Sequence, residues 1–314
     1  MDESILLELH RMVDEYALEP TLNATLRSFI AEKASEKTSW AEMTRCTHRM
    51  LGGRSPDLER HAALTELIIL LLDIVDDLQD RDSPNRPWMT CEPAVTLNAV
   101  LAMFAAILGQ CGQSGIGSAV GSLLARSIQG QQADITDKVL SEEDYFHMVA
   151  DKSGTLLQLA VYMGSALVDG VDSNVQETLN QLAVCGGIVS QIENDARDVL
   201  RLDFKNDLLH KKRTLPVLFM LEDSHAEFPA LNEYYAGTLS REQFAERQRE
   251  FVQYARDSGC IEYCKVVQAL YKDKANELYE LLPPMLEPWA GQFREIFVPD
   301  YDVRYNASGE GGVS

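Results

Sequence analysis

Apolar residues recur at the three- and four-residue spacing of an α-helix along nearly the whole chain, and no stretch alternates apolar and polar as a half-buried strand does. That periodicity restricts the fold to an all-α one, in which helices bury one stripe against each other with no sheet to organise them. Ser55-Pro56 reads as the N-cap and first residue of a helix running to about Asp80, about 37 Å at 1.5 Å per residue. Ser141-Glu142-Glu143-Asp144 reads as another N-terminus, its acids in the first turn to suit the helix dipole. A third long helix is expected from about Val175 to Arg201. Breakers fall at Gly52-Gly53, 83–87, 112–117, Gly170 and 282–284, none long enough to divide 314 residues. The expectation is one helical domain over 1–305 and a loose tail over 306–314.

Two greasy stretches, Leu67 to Leu72 and Ala99 to Leu108, suit buried helix faces. Neither approaches the roughly 20 residues of a membrane span, so no stable membrane insertion is expected. Carboxylates outnumber Lys and Arg by 49 to 28, a formal charge of −21. Nucleic acid is thereby disfavoured as a partner, because a phosphate backbone needs a basic face. The opening Met1-Asp2-Glu3-Ser4 is acidic where a secretion signal is basic, and the six cysteines form no Cys-x-x-Cys pair. Reduced thiols in a cytoplasm are the expectation.

Against this acidic background the placement of certain acids is informative. Asp73, Asp76, Asp77 and Asp80 stand at i, i+3, i+4, i+7, on one side of a helix. Glu66 extends the stripe backwards and Asp82 continues the acidity forwards. Bunched like charges beside Leu67–Leu72 repel one another and are costly to bury without compensation. The compensation that suits hard carboxylate oxygens is a divalent cation such as Mg²⁺. Gln191, Asn194, Asp195 and Asp198 repeat the spacing at the polar end of a second greasy helix. Its Gly186 and Gly187 point to close approach of a ligand or another helix. Two matching stripes suggest a site for two or three metal ions between helices. Phosphate-binding cations gather nearby: Arg197, Arg201, Lys205 and Lys211-Lys212-Arg213 after the second stripe, Lys152 beside small residues, and a cluster including Arg54 around Gly52-Gly53. Together they suggest a diphosphate clamp.

These segments resemble the trans-isoprenyl diphosphate synthase superfamily along most of the chain. Asp76-Asp77-Leu78-Gln79-Asp80 matches its DDxxD motif. Gly130-Gln131-Gln132-Ala133-Asp134-Ile135 resembles GQxxDL, and Lys152-Ser153 stands where the family carries Lys-Thr. Gln191 to Asp198 matches QxxDDxxD with Asn194 in place of the leading Asp. Lys205-Asn206-Asp207-Leu208 and Lys212-Arg213-Thr214-Leu215-Pro216 resemble GKxxxxDL and KxTLP. The family's GGKRxRP is reduced to Gly52-Gly53-Arg54-Ser55-Pro56, the interval from Gly53 to Glu66 is short, and Pro87-Trp88-Met89 follows where the family has Arg-Arg-Gly. In these departures the chain is similar to the ComQ-type pheromone tryptophan prenyltransferases.

The resemblance implies a helical bundle around an apolar cavity, a homodimer, and Mg²⁺, three ions, bound with an allylic isoprenyl diphosphate. It implies Asp76, Asp77, Asp80, Asn194, Asp195 and Asp198 as metal ligands. Arg54, Gln131, Lys152, Gln191, Arg197, Lys205 and Lys212 are implied as substrate-binding residues. The first-motif aspartates with Lys152, Lys205 and Lys212 are implied as the catalytic set. Leu71 and Leu72 stand where the family's chain-length residues are, which leaves room for a C15 or longer donor. Three acceptors compete: a tryptophan of a peptide, isopentenyl diphosphate in a chain-elongating synthase, or the donor's own double bond in a terpene synthase. A non-catalytic subunit is disfavoured by two intact stripes.

Overall fold

The computed structural model describes residues 1–36, 40–81, 83–136, 138–203 and 205–297. Asp82 and the expected tail 306–314 lie outside the described residues, as does the end of the expected domain after 297. Among the described residues there are helices and no strands. The helices are α1 (Glu3–Tyr16), α2 (Pro20–Ala34), α3 (Trp40–Met50), α4 (Leu58–Asp80), α5 (Pro87–Thr90), α6 (Pro93–Ser114), α7 (Gly117–Ile135), α8 (Glu142–Val149), α9 (Thr155–Ser165), α10 (Ser173–Asp198), α11 (Leu215–Glu227), α12 (Pro229–Tyr235), α13 (Arg241–Asp257), α14 (Cys260–Glu280) and α15 (Trp289–Phe297). A π-helical turn, Ala150–Gly154, joins α8 to α9.

Helix α4 is central. It is surrounded by α1, α3, α6 and α9, and a helix enclosed on all sides must be apolar nearly all round. Leu64, Leu67, Ile68, Ile69, Leu70, Leu71 and Ile74 meet that demand and are buried. Burial of its body leaves its two ends to carry charge, Glu59 and Arg60 at the start and the aspartates from Asp73 onward at the finish, with Glu66 the one carboxylate buried between them. The helix begins at Leu58, not at Ser55-Pro56: Ser55 sits in the preceding turn, where its Oγ accepts from Asp57 N at 3.2 Å. It ends at Asp80, with Arg81 in left-handed backbone. Glu66 accepts from Ala41 N at 2.9 Å and so caps α3; it is packing, not an extension of the acidic site.

Helix α10 is the second axis, packed on α9, α14 and the π-helical turn. It spans Ser173–Asp198, three residues short of the expected end at Arg201. A Cβ on Gly187 would lie 2.7 Å from Gly154 Cα, so the glycine serves approach of another segment of backbone. Ser141 caps α8 in a capping box with Asp144, as the acidic first turn predicts.

Helix α6 departs from expectation. Ala99, Met103, Ala106 and Ile107 are buried, while Leu97, Leu101, Phe104 and Leu108 are exposed. The run from Ala99 to Leu108 is therefore half core and half surface. At 22 residues α6 is long and apolar enough, by length and composition, to cross a membrane, with 39% of its most apolar stretch buried. The periodicity of short apolar runs did not register this length.

Candidate active site

The last two turns of α4 leave the core and carry the first stripe. Asp73 meets Lys33, a buried lysine on α2, whose Nζ lies 2.7 Å from Asp73 Oδ2 and 2.6 Å from Glu36 Oε2. Burial pushes the Asp73 carboxyl up in spite of that ammonium. Asp76 Oδ1 is buried, lies 3.3 Å from Lys152 Nζ, and has no hydrogen-bond partner in suitable geometry. Asp80 Oδ2 accepts from Lys212 Nζ at 2.7 Å. Asp77, one residue and about 100° round from Asp76, instead accepts from Trp88 Nε1 at 2.7 Å.

The facing wall is built from α7, the π-helical turn, α10 and the segment between α10 and α11. Gly130 of α7 lets the π-helical turn come so close that a Cβ would stand 2.3 Å from Lys152 N. Lys152 Nζ thereby reaches Asp134 Oδ2 at 2.8 Å. Burial works to depress the Lys152 ammonium, but Asp134 and Asp76 outweigh it and hold its pKa above the ordinary value. Lys212 is held up in the same way by Asp134 and Asp80. Asp134 is held below the usual range by these two lysines against the opposing effect of burial. Lys205 Nζ donates to Ser83 Oγ at 3.1 Å.

Two adjoining hollows result. One, of about 290 Å³, is lined by Leu72, Val75, Ile128, Ile135 and Leu156, with Asp73, Asp76, Gln79, Gln131, Lys152 and Ser153 along its polar side. The other, of about 310 Å³, is lined by Asp80, Asp134, Asp198, Asp207, Lys205, His210 and Lys212. They share Gln79 and Ile135. A greasy hollow beside one of carboxylates and ammoniums can house an amphiphile with an apolar tail and an anionic head.

Of the sequence-predicted residues, the structure thus gathers Asp76, Asp80, Asp198, Gln131, Lys152, Lys205 and Lys212 around these hollows. Others stand back. Both Asp195 oxygens are engaged inside the protein, Oδ2 by Tyr145 OH at 2.6 Å and Oδ1 by Gln191 Nε2 at 2.8 Å. Gln191 Oε1 in turn accepts from Ser153 Oγ at 2.8 Å. Arg197 donates to Asn194 at an exposed position. Leu71 is core, and only Leu72 of the expected chain-length pair faces the cavity. Arg54 is exposed in the turn before α4. The short interval from Gly53 to Glu66 feeds directly into one long helix, and the 18 residues from Leu58 to Asp76 put about 27 Å between that turn and the first stripe.

Residues without an assigned role from sequence also enter: Asp134, Asp207, His210, Ser153, Tyr145 and Trp88. Asp134 and Asp207 lie within segments that carry the resemblance, and their signal was a lone acid in a helical or apolar setting. Burial pushes Asp207 well up, with Asp195 adding to the effect, and its Oδ2 has no hydrogen-bond partner.

The donor set fits a hard divalent cation: carboxylate oxygens from two helices, with Asp76 Oδ1 buried and unsatisfied. Among the described residues, no three or more His, Cys, Asp or Glu side chains are gathered in a metal-holding arrangement; the lysines stand between the carboxylates.

An all-α bundle with such a divided cavity is a scaffold for an amphiphilic ligand with an apolar tail and an anionic head. The chain belongs to the polyprenyl synthetase family, whose model matches residues 37–252, and it is by class a prenyltransferase. It is 29% identical over 286 residues to the tryptophan prenyltransferase ComQ of Bacillus subtilis strain 168, covering 87% of this chain and 91% of that one. It is 27% identical over 233 residues to the geranylgeranyl pyrophosphate synthase of Eremothecium gossypii, covering 65% of this chain and 72% of that one. The fold is shared with the geranylgeranyl pyrophosphate synthase of Corynebacterium glutamicum solved with calcium and isoprenyl diphosphate, at a TM-score of 0.74 and 19% identity, over 93% of each chain.

Proposed function

We propose that the protein ionises an allylic isoprenyl diphosphate with Mg²⁺ and transfers the isoprenyl group to a tryptophan side chain of a peptide. The observation that carries the reading is the apolar hollow joined to the carboxylate and lysine hollow at Gln79 and Ile135. Asp76 and Asp80 from α4 and Asp198 from α10, which line the hollows, would hold Mg²⁺, with Asn194 one turn before Asp198 and Asp77 drawn aside by Trp88; three ions is the number implied by the resemblance. Bound Mg²⁺ supplies charge neutralisation to the departing diphosphate. Lys152, Lys205 and Lys212 supply positive charge to its remaining oxygens. Gln131, held to Gln79 at 2.9 Å, lines the junction where head meets tail. Leu72, Val75, Ile128 and Leu156 take the tail and keep water from the allylic cation. Asp195 in this reading is a positioning residue, locking Gln191 and Ser153 against the π-helical turn. Arg54 is too remote to contribute.

The tryptophan acceptor rests on the similarity to ComQ across most of both chains. Similarity to a geranylgeranyl pyrophosphate synthase supports chain elongation with isopentenyl diphosphate as a second reading. Incubation with Mg²⁺ and farnesyl diphosphate separates them. Diphosphate release only with a tryptophan-bearing peptide, and a prenylated peptide by mass, is the expected result. A longer diphosphate made with isopentenyl diphosphate, or a hydrocarbon made without co-substrate, overturns it. We further propose a cytoplasmic homodimer, supported by six free cysteines and by the exposed apolar face of α6.

A further inference from the structure

Asp73 has no part in the ionisation proposed above, yet it faces the apolar hollow. It stands one turn before Asp76 on α4, about 4.5 Å back along the helix axis, and lines the apolar hollow rather than the polar one. Its Oδ2 accepts from Lys33 Nζ at 2.7 Å. Its Oδ1 makes no hydrogen bond or ion pair among the described residues, and the side chain is 40% exposed. Lys33 is buried, and its Nζ also meets Glu36 Oε2 at 2.6 Å. Removing one charge of a buried pair leaves the other uncompensated, which is strongly destabilising. That does not happen here, because Lys33 keeps Glu36 when Asp73 is neutral. Asp73 can therefore gain a proton without stranding a buried ammonium.

Resting on the reading that this site prenylates a tryptophan, we propose that Asp73 is a catalytic residue, the general base that takes the proton displaced from the acceptor's indole. The allylic C–O bond breaks and its electron pair leaves with the diphosphate. An electron pair of the indole makes the new bond to the allylic carbon, and the ring is left positively charged with one proton in excess. Asp73 Oδ1 accepts that proton, and the electron pair of the broken N–H or C–H bond restores a neutral ring. The proton passes to water when the product leaves. Such a base must stand within hydrogen-bond reach of the ring, on the apolar side, where the ring meets the tail. Among the described residues lining that hollow, the carboxylates are Asp73 and Asp76. Asp76 is committed to the cation, and Lys152, between Asp76 and Asp134, is already an ammonium. Asp80, Asp134, Asp198 and Asp207 line the polar hollow, on the diphosphate side.

The test uses the full-length chain with Mg²⁺, farnesyl diphosphate and a tryptophan-bearing peptide. Asp73→Asn still offers Lys33 an oxygen but cannot take a proton. It is expected to lower kcat for prenylated peptide about 10²–10⁴-fold, the usual worth of a general base. Its binding of farnesyl diphosphate without peptide, and its far-ultraviolet dichroism, are expected to match the parent. Asp73→Glu returns a carboxylate and is expected to transfer faster than Asp73→Asn, whatever its Tm. If the ion pair only ties α2 to α4, the activity of the two variants follows their Tm instead, and the proposal falls. A folded Asp73→Asn that prenylates at the parental rate leaves the departing diphosphate as the base; it overturns the assignment and leaves the proposed function standing. The same holds for an Asp73→Glu no faster than Asp73→Asn, or for an Asp73→Asn whose loss lies wholly in farnesyl diphosphate binding. A parent that makes no prenylated peptide overturns the proposed function itself, and this assignment with it.

Discussion

Asp195 shows how one residue in a legible motif acquires an environment that the motif does not specify. Burial pushes its carboxyl up to about 6, only partly offset by hydrogen bonds from Tyr145 and Gln191. In the unfolded chain the same group releases its proton near pH 4. The folded protein therefore holds the proton longer. The associated stability is fully present below about pH 4 and is lost as pH rises through about 6. Asp195→Asn cannot titrate. Relative to it, the parent chain is expected to lose stability on the order of 3 kcal/mol between pH 4 and 7, read as a pH-dependent difference in Tm without metal or diphosphate. A constant difference across that window would count against the assignment. The spacing placed Asp195 on the polar side of α10 and Asp77 on that of α4, yet neither lines a hollow. Spacing fixes angles about a helix axis, and Tyr145 and Trp88, distant in sequence, decide which carboxylates are drawn away.

Among the elements, the π-helical turn at 150–154 determines where Lys152 points, and it exists because two glycines admit it. Gly130 yields to Lys152 N, and Gly187 to Gly154 Cα. A π-bulge in a helical run is often found at functional sites, but a five-residue ring leaves no periodic trace in Ala150 to Gly154. The long helices were legible because their apolar faces and caps agree: α4 and α10 end within three residues of where periodicity puts them. The start of α4 was misplaced because Ser55-Pro56 also serves as an ordinary turn. Gly130→Ala is expected to force the backbone of the π-helical turn away by more than a side chain can absorb. Overpacking of this sort costs about 1–3 kcal/mol, and displacement of Lys152 from Asp134 and Asp76 should lower kcat at least about tenfold, since a misplacement of about 1 Å can cost a hundredfold. Chemical denaturation and steady-state kinetics on the same preparation check both. A variant that loses stability but keeps kcat would show that Lys152 is not positioned through this contact.

For the whole molecule, an apolar run declares that a surface avoids water without declaring what covers it. Leu67 to Leu71 are covered by the chain itself. The outward residues of α6 are not: Leu97, Leu101, Phe104 and Leu108 recur every three or four residues along one face, Leu101 at 65% exposure. An exposed apolar face of this kind on a helix is the sort of surface that marks an interaction site. A second copy presenting the same face satisfies the patch by two-fold symmetry, each residue meeting its counterpart or a neighbour. The expected species is a dimer of the 35.1 kDa chain. Leu101→Glu with Leu108→Glu puts two carboxylates, seven residues apart, on that face in each subunit, so four meet at the interface. Because both side chains already face outward, the fold should survive, with unchanged helical dichroism. Sedimentation velocity is expected to show the parent at twice the chain mass and the double variant at the chain mass. A parent that sediments as a monomer, or a variant that remains dimeric, would remove α6 as the interface and leave its apolar face to be assigned to another partner.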